Sequence, residues 1–174
     1  KINIAQMEEK LGNYYEAKLM YENILNLKSI SPLESNLVKY YLSYTYLCLG
    51  QLAKAWDYYD YGFAGILPSN AIRSPRKFNQ PQWNGNFAET KTILIWREQG
   101  LGDEILFSSC LNDIHDLDLN IIFECDTRLV DIFQRTYPKF RVRSESFDSH
   151  YLPLFNDFEK QIAIGSLPQF FRRN

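Results

Sequence analysis

Two segments of the chain can be laid over one another. Leu11-Gly12-Asn13-Tyr14-Tyr15-Glu16-Ala17 is followed four residues on by Tyr21, and Leu49-Gly50-Gln51-Leu52-Ala53-Lys54-Ala55 is followed four residues on by Tyr59. The two glycines stand 38 residues apart. Ala5, Leu11, Ala17, Tyr21, Ile24 and Leu25 recur at helical spacing, broken once at Gly12. Asn13 with Glu16 reads as a capping box that restarts a helix after the glycine. Ser31, Pro32 and Glu34 repeat the start signal, with proline at a first helical position. The pattern predicts a long helix to about Leu49, a stop at Gly50 and a further helix over about Leu52 to Gly62. In each segment glycine permits a tight turn between two helices, alanine lets them approach, and tyrosine fills the space toward the next pair.

This spacing resembles the tetratricopeptide repeat, whose period is about 34 residues. The extra residues fit a longer turn around Asn26 to Ser31. Lys1 falls inside the leading helix of the first repeat, so that repeat is expected to be truncated and preceded by others, since fewer than three repeats make a marginal solenoid. Two roles stay open for residues 1–65: a groove for a protein or saccharide partner, or a platform for the next domain.

Residues 66–90 read as a connector. They carry Pro68, Pro75, Pro81 and Gly85 among several Asn and Ser. Phe78, Trp83 and Phe87 in the same stretch suggest that it packs onto a neighbour, fixing the repeats against the next domain.

The hydrophobic period changes at Thr92. Thr92 to Trp96 is a short, continuous apolar run, as expected of a strand covered on both faces. Glu98 to Glu104 is a glycine-containing turn. A helix is expected from Ile105 to about Leu117, with Ile105, Leu106, Cys110, Leu111 and Ile114 on its buried side. A second strand over Leu119 to Cys125, a helix from Thr127 to about Tyr137 and a third strand near Phe140 to Val142 come next. Gln161 to Ile164 reads as a further short strand, and Ser166 with Pro168 as the opening of a helix. Alternating strand and helix imply a parallel sheet with right-handed crossovers. The fold class is therefore α + α/β: helical repeats, then a partial Rossmann-like parallel-sheet domain over residues 91–174.

Composition bounds the function. The net charge of −2 gives no bulk attraction to nucleic acid or membrane surfaces. No apolar run approaches the roughly 20 residues of a membrane span. Cys48, Cys110 and Cys125 have neither metal-site nor disulfide spacing and read as buried free thiols in a reducing, cytoplasmic setting.

The turn after the first predicted strand is the candidate site, because ligands of open parallel sheets bind beyond the carboxyl ends of the strands. Gly100 and Gly102 let a substrate approach the backbone. The dinucleotide fingerprint is absent: it needs a third glycine where Ile105 stands. Glu98, Asp103 and Glu104 would repel a pyrophosphate, although Glu124, 22 residues after Gly102, imitates the ribose-binding acid of such folds. Asp103 suits a general base for a substrate hydroxyl. It equally suits a plain helix cap.

The run Trp83-Asn84-Gly85, Lys91 to Trp96 and Glu98-Gln99-Gly100-Leu101-Gly102-Asp103-Glu104-Ile105-Leu106-Phe107 resembles a bacterial family in which tetratricopeptide repeats precede a glycosyltransferase domain. That domain is similar to the heptosyltransferases and the O-linked N-acetylglucosamine transferases of the GT-B fold. Phe123 to Asp126 with Arg128-Leu129, and Ile164 to Pro168 with Phe171-Arg172, extend the likeness. The resemblance implies that Asp103 is the catalytic base, that Gly100 and Gly102 shape the acceptor side, and that Glu98 orients the acceptor. It implies a nucleotide-sugar donor as substrate, no metal and no other cofactor. Such enzymes bind the donor mainly on a second domain, so these 174 residues are expected not to turn over alone. The alternative is a non-catalytic interaction scaffold that keeps the fold.

The remaining polar candidates are weaker. His115 and His150 are too isolated for a catalytic pair and read as surface or cap residues. Ser108 and Ser109 have no nucleophile-elbow pattern around them. Arg141 and Arg143 straddle a strand and read as a solvated face, and Arg172 and Arg173 as surface charge or a phosphate contact.

Overall fold

The computed structural model describes residues 1–64, 73, 75–148 and 152–174. Pro68 and His150 lie outside them. The chain divides into two compact units, Lys1–Pro75 with Arg172–Asn174, and Arg76–Phe171.

The first unit is helical: α1 (Ile2–Lys10), α2 (Tyr14–Leu25), α3 (Pro32–Cys48) and α4 (Leu52–Tyr59), then a 3-10 turn over Asp60–Phe63. The two superimposable segments adopt the same backbone. Gly12 and Gly50 take left-handed φ values of +84° and +69° after α1 and α3. In each case the glycine N–H reaches the carbonyl three residues back, Glu9 or Leu47, and the next N–H reaches the carbonyl five back, Glu8 or Tyr46. This double bond pattern closes a helix through a left-handed residue. No atom lies within 4 Å of where a Cβ would stand at either glycine, so conformation, not space, selects glycine.

Ala17 and Ala55 are fully buried, as are Tyr21 and, almost, Tyr59. The core joins Ala5, Ala17, Tyr21, Ile24, Val38, Leu42, Tyr46 and Ala55. Buried tyrosines need partners for their hydroxyls. Tyr21 donates to Glu9 at 3.0 Å, Tyr46 donates to Glu22 at 2.9 Å, and the hydroxyls of Tyr40 and Tyr44 meet at 2.7 Å. Burial raises the Glu9 carboxyl above its ordinary pKa.

The two predicted helix starts differ. Ser31 and Glu34 form the full reciprocal box at α3, with Pro32 at its first position. Asn13 makes no side-chain cap to α2. The turn at Gly12 leaves it at ψ 60° instead of extended, and its amide donates to Glu8 at 2.7 Å.

The second unit is built on a four-stranded, all-parallel sheet of order β3-β2-β1-β4, with β1 Thr92–Trp96, β2 Asn120–Cys125, β3 Arg141–Ser144 and β4 Lys160–Ala163. The central strand β1 pairs with β2 on one side and β4 on the other. Ile93, Leu94 and Ile95 are buried, as the continuous apolar run requires. Between β1 and β2 the chain passes α5 (Leu101–Phe107) and a 3-10 segment, Ser108–Asp113. Between β2 and β3 it passes a 3-10 turn, Thr127–Leu129, and α6 (Val130–Thr136). Phe133 of α6 stands 5.0 Å from Phe123, ring to ring. A 3-10 turn over Ile164–Ser166 follows β4 and leads into α7 (Pro168–Phe171).

The helix expected from Ile105 to Leu117 starts four residues earlier and changes character at Ser108. Ser108 Oγ donates to the Ile105 carbonyl at 2.7 Å, the local side-chain bond by which serine competes with the helix ladder. The covered face also differs from the expected one. Glu104 and Phe107, three residues apart, turn inward, and Ile105 and Leu106 are 56% and 65% exposed, not buried. Cys110, Leu111 and Ile114 are buried as expected.

The connector aromatics find partners within the α/β unit. Phe78 packs on Trp96 and Phe158, and Trp83 on Phe87 and Phe170. Gly85, at φ +87°, lies where a Cβ would come within 2.7 Å of the Phe170 ring. Cys110 and Cys125 are buried free thiols, whereas Cys48 is exposed. No helix among the described residues is long and apolar enough to cross a membrane.

Candidate functional site

Order β3-β2-β1-β4 reverses direction at β1. The chain moves outward through β2 and β3, then returns to the far side as β4. The strand order thus places a switch point at β1, at the carboxyl edge of the sheet, where open parallel sheets hold ligands. The loop after β1 and the first turn of α5 carry all four residues singled out in the sequence: Glu98 and Gly100 in the loop, Gly102 and Asp103 in the helix.

The structure gives its three acids three different surroundings. Glu98 is 4% exposed, and its Oε1 accepts the N–H of Gly165, in the turn after β4, at 3.0 Å. Glu104 is fully buried; its Oε1 takes Arg97 Nε at 2.6 Å and its Oε2 takes the N–H of Asp126 at 2.9 Å. Asp103 alone stays half-buried at the turn. Its Oδ2 accepts the Gly100 N–H at 3.0 Å, which is the cap role, and its Oδ1 has no hydrogen bond among the described residues. The three acids do not form one negative surface.

The backbone around them is tightly defined. Gln99 is the one non-glycine residue with positive φ, +58°, among the described residues. A left-handed residue with a side chain costs about 1 kcal/mol and persists where its surroundings enforce it. Beside it, Gly102 is exposed, with no atom within 4 Å of its Cβ position, and Gly100 meets only Asp103 Oδ2 at 3.4 Å. That side of the turn is open.

Glu124, the mimic of a ribose-binding acid, is fully buried and already engaged. Arg76 Nη1 bonds its Oε2 at 2.8 Å and Arg143 Nε its Oε1 at 2.8 Å. A nucleotide ribose has no access to it. Arg143 is thus part of a buried ion network, not of a solvated face, and it also reaches Asp157 at 2.8 Å. Arg141 is exposed and pairs with Asp157. Arg97 and Arg76 both contact Glu145 at 3.4 Å, which links the network across the ends of β1, β2 and β3.

Sequence reasoning missed Arg76, Arg97 and Glu145. The one available signal was Arg97 itself, a charge directly after an apolar strand. Hydrogen bonds from Arg128 hold the Asp126 carboxyl far below the ordinary carboxylate range. Burial, with Glu104 and Asp126 nearby, pushes the Cys125 thiol up to about 12.

His115 lies in a turn against Tyr137 and Phe140, with Nδ1 3.0 Å from Asp116. Arg173 pairs with Asp57, and the Arg172 carbonyl accepts Trp56 Nε1, both within the helical unit. No group of three His, Cys, Asp or Glu side chains placed to hold a metal ion occurs among the described residues.

Over 149 residues the chain is 31% identical to Protein FlbA of Caulobacter vibrioides. The match takes in 78% of this chain and 24% of that protein, so the chain spans about a quarter of the length of the curated relative it matches. No family model matches the chain, and no solved structure matches it.

Proposed function

We propose that these residues are the acceptor-side part of a GT-B-type glycosyltransferase. In this reading the helical unit, of tetratricopeptide type, recruits a protein or saccharide acceptor to a Rossmann-like α/β unit. The single observation that carries it is the isolation of Asp103. Of the three acids at the sheet's carboxyl edge, it alone is not buried, and its Oδ1 has no hydrogen bond among the described residues, beside the open backbone of Gly102.

An acceptor hydroxyl lying against Gly102 is within reach of Asp103 Oδ1. As that hydroxyl attacks the anomeric carbon of the donor sugar, its proton passes to Asp103. The bond to the nucleotide phosphate breaks, and its electron pair leaves with the nucleotide. Gly100 and Gly102 leave room for the sugar ring near the backbone. The donor belongs to sequence outside these residues, and the step calls on no metal.

Asp103 also holds the cap, so the test must separate the two roles. Asn at 103 keeps an oxygen for the Gly100 N–H but cannot accept the proton. Sugar-nucleotide turnover by the full-length protein is expected to fall about 10²- to 10⁴-fold in Asp103→Asn. Unchanged turnover removes Asp103 as the base. A scaffold reading draws on Ile4, Met7 and Leu11, exposed apolar residues along and just after α1. It prevails if the full-length protein binds partners but turns over no sugar nucleotide.

A further inference from the structure

Glu98 and Gly165 are 67 residues apart in sequence and bonded in the structure. Glycine at 165 is required by space. A Cβ there would stand 2.4 Å from Glu98 Oε1, closer than real contacts allow, and 3.1 Å from the Phe107 ring, tighter than most. The turn after β4 therefore sits directly on the Glu98 side chain, with Phe107 of α5 behind it. On the other side of Glu98 come Gln99 in its left-handed conformation and Gly100, whose N–H is held by Asp103.

We propose that Glu98 is a positioning residue, a clasp that ties the loop after β1 to the turn after β4 and so fixes the Gly100–Asp103 turn. Its side-chain oxygen is engaged by the Gly165 N–H, inside the unit, not by an acceptor. The turn is pinned at both ends, by Glu98 to Gly165 and by Asp103 to Gly100, with only Gln99 to Gly102 between. The strained Gln99 is held because both ends are fixed. For its effect on chemistry the proposal rests on the transferase reading, in which the clasp sets where Asp103 meets the acceptor. A displacement of about 1 Å at such a group costs on the order of 100-fold in rate.

Three variants of the full-length protein test it: Glu98→Ala, Glu98→Gln and Gly165→Ala. Amide hydrogen exchange at Gly165 and Gly100 reads the clasp without reference to activity, and exchange at Leu94 and Ile95 reports that the sheet is intact. Glu98→Ala is expected to speed exchange at Gly165 and Gly100 by about 10-fold or more, with β1 unaffected. The Gln side chain still offers an oxygen to Gly165, so Glu98→Gln restores slow exchange. Gly165→Ala, which pushes the Glu98 side chain away, reproduces the alanine result.

In turnover, Glu98→Ala and Gly165→Ala are expected to lower kcat about 100-fold with the acceptor KM little changed, and Glu98→Gln to recover most of it. If Glu98→Gln turns over as poorly as Glu98→Ala while Gly165 exchange stays slow, the Glu98 charge acts on the substrate and the clasp is overturned. Unchanged exchange at both glycines in Glu98→Ala overturns it as well. A wild-type protein that turns over no sugar nucleotide defeats the transferase reading, and exchange still decides the clasp.

Discussion

The two units bury polar groups in different ways. The helical unit hides hydroxyls: Tyr21, Tyr40 and Tyr46 are buried with their tips on Glu9, Tyr44 and Glu22, and Arg73 is its buried charge, paired with Asp60. The α/β unit hides carboxylates. Glu104 and Glu124 are fully buried, and the arginines that neutralise them gather with them at the carboxyl ends of the strands. A hydroxyl needs one hydrogen bond to be buried at modest cost, but a charge needs a partner and several bonds. The helical unit can therefore distribute its polar contacts along its length. The α/β unit concentrates them at one edge, beside the candidate site, so a single lost carboxylate there disturbs several charges at once.

The largest expected effect tests this contrast directly. Glu124→Ala leaves Arg76 and Arg143 buried without their shared partner and is expected to destabilise the α/β unit by about 3–5 kcal/mol in urea unfolding. Tyr46→Phe removes one hydroxyl bond in the helical unit and is expected to cost about 1 kcal/mol. Equal costs would mean that the carboxylate edge is no more fragile than the tyrosine core.

The next comparison is between the two helix starts. Ser31→Ala breaks a formed capping box and is expected to cost about 1 kcal/mol, whereas Asn13→Ala removes no cap and is expected to cost a few tenths. Thermal unfolding of the two variants side by side decides it. A larger loss at Asn13 would show that the box read from its sequence forms after all.

Acid titration compares one carboxyl from each unit, and the two respond with opposite sign. Asp126, held low by Arg128, contributes stability that is complete above its unfolded pKa of about 4 and lost as pH falls through its folded value. Glu9, raised by burial, contributes stability that is complete below its unfolded pKa and lost as pH rises through its folded value. Asp126→Asn is thus expected to flatten the loss of stability below pH about 4, and Glu9→Gln to flatten the loss above it. Unfolding midpoints measured from about pH 2 to 7 check both; a slope unchanged in either variant removes that group from the account.

The smallest perturbation is chemical labelling of the native chain. Cys48 is exposed, Cys110 is buried, and the Cys125 thiol is pushed up to about 12. Near pH 8, iodoacetamide is expected to label Cys48 alone, as read by mass spectrometry. Rapid labelling of Cys125 would show that the edge of the α/β unit opens readily.

The elements best read from the sequence are those whose signal is local. Thr92 to Trp96 forms the predicted strand because four adjacent apolar residues after a β-branched threonine have few other uses. Gly12 and Gly50 end their helices because only glycine takes the left-handed turn freely. The box at Ser31 forms because its partner lies three residues away. Ile105 and Leu106 face solvent, against expectation, because the buried face runs through Glu104, Phe107, Ser108 and Leu111, with Glu104 held inward by Arg97 and the Asp126 N–H. A shift of a few residues in a 3.6-residue period moves a side chain from core to solvent.

The candidate site was legible only in outline. The glycines and acids after β1 mark the loop, but Glu98, Asp103 and Glu104 carry the same charge on paper. Their different roles come from partners far away in sequence: Gly165 for Glu98, Asp126 for one oxygen of Glu104, and for Glu124 an arginine 48 residues earlier.

By itself the sequence determined the helical repeat, the parallel alternation after it, and the glycine turn at the end of the first strand. Each is set by residues within one helical turn or one strand, where backbone geometry leaves little choice. Only the tertiary structure decided which acid of that turn faces outward. That depends on which N–H groups and guanidinium groups the folded sheet brings to each carboxyl, and a buried carboxyl takes whatever donor is near enough to compensate it.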